Sequence, residues 1–199
     1  SAASDVYKRQ QQSGFVFVAQ MRANKPDPIG GVLWFGVDDA NMAVFTPVYC
    51  CATKAPVCYT RVDGADYITF SWNSAFWIFN WVSNMVYPRY SLMIDDVRAT
   101  QKELETTFNN AQEGIEEMAA RLLAKDKSAA VEFLTNYTNM TAQSTFDTWK
   151  RLGEFIIVKY NDGVIRKMKD GKFERNAIGQ PAGAVSYTHL RAHETCADL

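Results

Sequence analysis

Histidine is almost missing from this sequence. The 199 residues hold two, His189 and His193, both near the C-terminal end. Their i, i+4 spacing with Glu194 after them has the form of a metal-ligand pair. No second ligand cluster stands beside them, and no metal is expected. Residues 11–184 contain no histidine, so a Ser or Cys nucleophile there has no imidazole base. Cysteine is scarce too: Cys50, Cys51, Cys58 and Cys196. None forms a C-x-x-C pair, and three thiols without histidine make a poor zinc set. Either Cys50 or Cys51 bridges to Cys58, or all three are free and mostly buried. No apolar run reaches the roughly 18–20 residues needed to span a bilayer. No strongly basic stretch offers a nucleic-acid surface, and the net charge is −1. There is no G-x-S-x-G, P-loop, dinucleotide fingerprint or H-E-x-x-H, and no internal repeat.

What is present is a globular composition, 47% hydrophobic and 13% aromatic. The two ends stand apart from it. SAASDVYKRQ (residues 1–10) and VSYTHLRAHETCADL (residues 185–199) resemble translated sequencing-adapter read-through, as found at the ends of fragments from metagenomic assemblies. Residues 11–184 are therefore expected to be the native portion, one part of a single domain. GFVFVAQMR (Gly14–Arg22) alternates at period two and predicts a strand. GGVLWFGVDD (Gly30–Asp39) is a nearly continuous apolar run, which suits a strand buried on both faces. AVFTPVYCC (Ala43–Cys51) predicts a third strand, and Pro47 places it at an edge or a bulge. Short links between the three favour antiparallel pairing.

An aromatic segment follows, with a helix expected from about Asn73 to Val86, ended by Pro88. From Met93 to Lys125 apolar residues recur in steps of three and four: Val97, Leu104, Phe108, Ile115, Met118, Leu122. Glu113, Glu116 and Glu117 are assigned to the opposite, solvated face. A second long helix is expected to about Val158, capped by Asp126 or Ser128, with Leu134, Tyr137, Thr141, Ser144, Trp149 and Leu152 inward. A short loop between two such helices predicts an antiparallel hairpin. Two Asp-Gly pairs in DGVIRKMKDGKFERN (Asp162–Asn176) predict tight turns and a terminal β-hairpin. The fold class is α+β.

Three blocks carry a resemblance. PDPIGGVLWFGVDDANMAVFTPVYC (Pro26–Cys50), FSWNSAFWIFNWVSNMVYPRYSLMIDDVR (Phe70–Arg98) and LTNYTNMTAQSTFDTWKRLGEFIIVKYNDG (Leu134–Gly163) resemble, in that order, bacterial cysteine dipeptidases of the peptidase-D type, within the N-terminal nucleophile hydrolase superfamily. The resemblance implies part of a four-layer αββα sandwich. It also implies a nucleophilic cysteine at the mature N-terminus whose own α-amine is the base, dipeptide substrates, and no cofactor. Such an amine has a pKa near neutrality, about 7.7–8.0, which suits a base. This chain has no cysteine near its start, so the nucleophile is expected in a missing N-terminal half and the chain as given is expected to be inactive. The compartment stays open between bacterial cytoplasm and export, and a homo-oligomer is compatible with the sequence. A related acyl-amide hydrolase of the bile-salt or penicillin amidase type, or a non-enzymatic binding module, are the alternatives.

Six residues are candidates for the site. Asn73, at a strand-to-helix junction, is either an oxyanion donor, as the superfamily implies, or an N-cap. Arg89 is either a bidentate partner for a substrate carboxylate or a helix anchor. Asp38 and Asp39, after a buried strand, either hold a substrate amine or cap a turn. Trp34 and Trp72 either wall the pocket or belong to the core.

Overall fold

A computed structural model describes residues 13–176, 179 and 181–185. It divides into two compact units, one ending at Leu152 and one beginning at Gly153. The first opens with three antiparallel strands in the order β1 (Phe15–Met21), β2 (Gly31–Val37) and β3 (Thr46–Tyr49). The register pairs Val18 with Trp34 and Trp34 with Pro47. Pro47 therefore sits on an edge strand, where its missing N–H costs no ladder bond. Gly36 sits where the sheet is tightest: a Cβ there would meet Ala43 Cβ at 2.8 Å and Val16 Cγ1 at 2.9 Å.

Besides a single helical turn over Asp27–Gly30, three longer helices complete this unit: α1 (Ala75–Val86), α2 (Tyr90–Leu123) and α3 (Lys127–Tyr160), the last continuing past the unit boundary. Asp126 begins α3 by accepting a bond from the Ser128 N–H at 2.8 Å, the usual N-cap arrangement. Val32, Tyr49 and Ile29 share a buried cluster with Ala119 of α2 and with Leu134 and Tyr137 of α3. The helices thus cover the face of the sheet that carries Val32 and Trp34. Both also grip the segment through β3. Gln101 of α2 donates to the Ala43 carbonyl at 2.6 Å, and Glu105 accepts from the Phe45 N–H at 3.0 Å. From α3, Thr145 shares a bond with Thr46 at 3.1 Å, and Thr138 accepts from the Tyr49 N–H at 3.1 Å. Contacts climb that segment along α2 and descend it along α3, so the two helices run antiparallel.

The expectation that β2 is buried on both faces does not hold. Leu33 and Phe35 are only half-buried, and beside them Phe15 is 59% exposed, Phe17 51% and Met21 74%. The continuous apolar run signalled cover that the described residues supply on one side alone. Three assignments on the helices also change. Met118 and Ser144 are exposed, whereas Glu116 is buried at 3% exposure. Helical spacing places a residue on a face, and cations from the β1–β2 connector, Arg22 and Lys25, meet Glu116 on the inner one.

The second unit is small. After α3 the chain forms β4 (Val164–Arg166), paired with β7 (Gly183–Val185), and a tight hairpin of β5 (Met168–Lys169) and β6 (Lys172–Phe173). Asp170 (φ 49°) and Gly171 (φ 74°) make that turn in the left-handed region that Asp-Gly tolerates. Phe155 of α3 stacks on Phe173, with ring centroids 5.7 Å apart. Among the described residues no helix is long and apolar enough to cross a membrane. The N-terminal ten residues, and all but one of the C-terminal fifteen assigned to adapter sequence, lie outside the described residues.

Candidate functional site

Three groupings could bear function. The first lies at the end of β2. Asp38 has φ 63°, a conformation that Asp and Asn adopt more readily than other L residues. Its carboxylate is buried and accepts from Ser83 Oγ at 3.0 Å and Asn80 Nδ2 at 3.2 Å, both on α1. Burial pushes its pKa up, against the hydrogen bonds from Asn80, Asp39 and Ser83. Asp39, also buried, accepts from the Asn41 N–H at 2.9 Å and from the Tyr87 hydroxyl. Asn41 in turn donates to Tyr90 Oη at 2.9 Å and accepts from Arg98. The nest ties the strand end to α1 and α2, and its carboxylates already have protein donors. Arg89 lies half-buried in the single helical turn Tyr87–Arg89 that joins those helices.

The second grouping is the loop before α1. The N-cap of α1 is Ser74, so Asn73 does not cap that helix. Its Nδ2 donates to Asp63 Oδ2 at 2.8 Å, and Ser71 Oγ donates to the same oxygen at 2.7 Å. These two bonds, Ser71 first, hold the Asp63 carboxyl below its ordinary range. Trp72 is half-exposed and meets Phe70 edge-on at 4.8 Å and Trp81 at 5.2 Å. Trp34 is elsewhere, packed against the core cluster, with its Nε1 donating to Gln20 at 3.2 Å. The six candidates from sequence therefore fall into separate places and do not converge.

The third grouping was not legible beforehand. A cleft of about 460 Å³ opens between the uncovered sheet face and the start of α1. Phe15, Phe35, Tyr59 and Phe76 wall it, and Arg61 and Asp66 stand at its edge. Phe35 lies 5.8 Å from Phe15 and 5.4 Å from Tyr59, centroid to centroid. Arg61 donates to Asp66 Oδ2 at 3.1 Å. Asp66 is held low first by the Ile68 N–H, which reaches Oδ1 at 3.1 Å, then by Thr69, with Arg61 adding to it. No sequence expectation covers residues 59–67, which supply Tyr59, Arg61 and Asp66.

The thiols give no activated nucleophile. All three described cysteines are free. Burial raises Cys51, and it pushes Cys58 up to about 11. Among the described residues no group of three or more His, Cys, Asp or Glu is placed to hold a metal.

Residues 8–103 match the model of peptidase family C69. The C69 match runs through all three strands of the first unit, the aromatic loop, α1 and the first turns of α2. It thus contains the polar nest and the cleft, and supports a peptidase of dipeptidase type, a hydrolase. No curated protein matches the chain.

Proposed function

We propose that this chain is part of a dipeptidase that cuts dipeptides through an N-terminal cysteine lying outside these residues. The observation that carries the reading is the C69 match over the segment that builds the sheet and the cleft. In the proposed reaction the cysteine thiolate attacks the peptide carbonyl. Its α-amine takes the thiol proton and passes it to the leaving amine. A thioester forms, and water then releases the acyl group and restores the thiol. The raised pKa of Cys58 and Cys51 fits a nucleophile supplied elsewhere.

The same reading accounts for the open sheet face. In a four-layer αββα sandwich a second sheet would cover Phe15, Phe17 and Phe35, leaving helices outermost on both sides. Sheets packed face to face lie about 10 Å apart. The test is to express the parent with its upstream coding sequence and assay a dipeptide panel. Hydrolysis that disappears when the N-terminal cysteine becomes alanine supports the reading. Turnover by the 199-residue chain alone, surviving thiol alkylation, would refute it.

A further inference from the structure

A groove of about 380 Å³ runs between α2 and the β2–β3 connector. Arg98, Lys102, Glu105, Thr106 and Asn109 of α2 line one side of it. Phe15, Phe17 and Phe35 of the open sheet face do not line it. Arg98 is set in place there by neutral groups. Its guanidinium donates to Gln101 Oε1 at 3.1 Å and to Asn41 Oδ1. Both acceptors are nearly buried, at 7% and 9% exposure, and are themselves fixed. Gln101 donates to the Ala43 carbonyl at 2.6 Å, and Asn41 to Tyr90 Oη at 2.9 Å. A guanidinium has five N–H donors, so about three remain for a ligand. Among the described residues no carboxylate pairs with Arg98, nor with Lys102 about 6 Å further along the helix. The far end of the groove offers acceptors instead. Glu105 spends Oε1 on the Phe45 N–H at 3.0 Å and keeps its second oxygen. Asn109 spends its amide N–H on the Glu105 carbonyl at 2.7 Å and keeps its oxygen.

We infer that this groove binds a small phosphate ester of a hydroxylated molecule, with the phosphate on Arg98 and Lys102 and the hydroxyls on Glu105, Thr106 and Asn109. The site is separate from the dipeptidase reading and does not need it. A phosphate monoester carries a charge of about −1.5 to −2 at pH 7, which matches two cations better than a singly charged carboxylate does. Its oxygens accept the guanidinium fork in two parallel bonds. Glu105 repels a second anionic group, so the far end of the ligand is neutral, and hydroxyls donate to the oxygens waiting there. Seven residues separate Arg98 from Glu105, about 10 Å of helix. That exceeds the screening length of about 8 Å at physiological salt, so Glu105 weakens phosphate binding at the Arg98 end only slightly. The groove lies within the roughly 300–1,000 Å³ range of small-molecule sites and is far larger than a bare ion fills.

The test is calorimetric titration of the full 199-residue chain, at one fixed ionic strength, with ribose 5-phosphate, inorganic phosphate, acetate and ribose. Ribose 5-phosphate should bind at one site, at least about tenfold more tightly than inorganic phosphate. Inorganic phosphate should bind more tightly than acetate, and ribose should give no heat. Arg98→Gln and Lys102→Gln should each weaken the ester at least about tenfold. Arg98 also ties Asn41 to Gln101, so if that variant melts early the exposed Lys102→Gln arm decides alone. Thr106→Val, at another exposed position, should remove most of the advantage of the ester over the inorganic ion. No binding, or binding untouched by Lys102→Gln, overturns the site. Acetate binding as tightly as inorganic phosphate overturns the phosphate. Inorganic phosphate binding as tightly as the ester, or an ester advantage untouched by Thr106→Val, overturns the hydroxylated end.

Discussion

Lys25 and Glu116, 91 residues apart in sequence, meet at 2.7 Å. Arg22 reaches the other carboxylate oxygen at 2.6 Å, and the Tyr49 hydroxyl donates to it at 3.3 Å. Burial works against the Glu116 charge, but the hydrogen bonds and charges of Lys25 and Arg22 outweigh it and lower its pKa from 4.5. Removing one partner of a buried pair typically costs about 3–5 kcal/mol. Lys25 keeps more than a third of its side chain in water, so its share is screened and the lower figure applies. Glu116→Ala should therefore lose about 3 kcal/mol in urea denaturation at pH 7. Glu116→Gln should lose less. Because the folded pKa is depressed, this stabilisation is complete above pH 4.5 and fades as pH falls through the folded value.

Asp38 has the opposite sign. Its folded pKa lies above 3.8, so the native state binds the proton more readily than the unfolded chain. Stability therefore falls as pH rises from 3.8 through the raised value, and is level beyond it. Asn at this position keeps the left-handed backbone and an acceptor for Ser83 and Asn80. The stability of Asp38→Asn relative to the parent sequence should thus climb over that window. Urea midpoints at a series of pH values measure it. A difference independent of pH would show that Asp38 titrates as it does in the unfolded chain.

Thiol labelling should separate the three cysteines. Cys50 is exposed, Cys51 is half-buried with a raised pKa, and Cys58 is buried and pushed to about 11. Iodoacetamide at pH 8 followed by mass spectrometry should modify Cys50 first and Cys58 last, since the thiolate is the reactive form. Fast labelling of Cys58 would show that its neighbourhood opens in solution. A block on labelling relieved by reductant would show a disulfide instead.

The strands, the aromatic helix and both long helices were readable because periodicity reports burial directly. Val97, Leu104 and Phe108 lie inward as their spacing requires, and Pro47 lies on the edge its chemistry demands. Glu116 was misplaced because a buried ion depends on partners from the β1–β2 connector and from β3, which spacing along one helix cannot reveal. The cleft was missed for a related reason. Phe15 and Phe35 come from paired strands, Arg61 and Asp66 from a turn, and Phe76 from a helix, so no local pattern joins them. Of the two roles open to Asn73, oxyanion donor or N-cap, the cap falls one residue later, at Ser74.

The open sheet face should make the isolated chain self-associate. Phe15 and Phe17 stack within 6.3 Å of one another and are both more than half exposed. Contiguous apolar surface of this kind draws partners. Replacing both by Ser should lower the sedimentation-velocity weight average at high concentration. Stability should change by no more than about 0.5 kcal/mol, as at other surface positions. Unchanged association would place the contact on another surface.

The threonines of α3 bear on a separate route to association, through the edges of the sheet. Thr138 accepts from the Tyr49 N–H and Thr135 from the Thr53 N–H, each at 3.1 Å, while Thr141 reaches the Pro47 carbonyl at 3.5 Å. The outward backbone groups of β3 are thereby spent on a helix, which stands in for a fourth strand. Among the described residues β1 pairs with β2 alone. The sheet has one sealed margin and one margin able to grow. Two copies meeting edge to edge can join only β1 to β1, a two-fold contact that uses up both growing margins. Such a pairing closes on itself, so this route ends at a dimer and cannot propagate into a fibre.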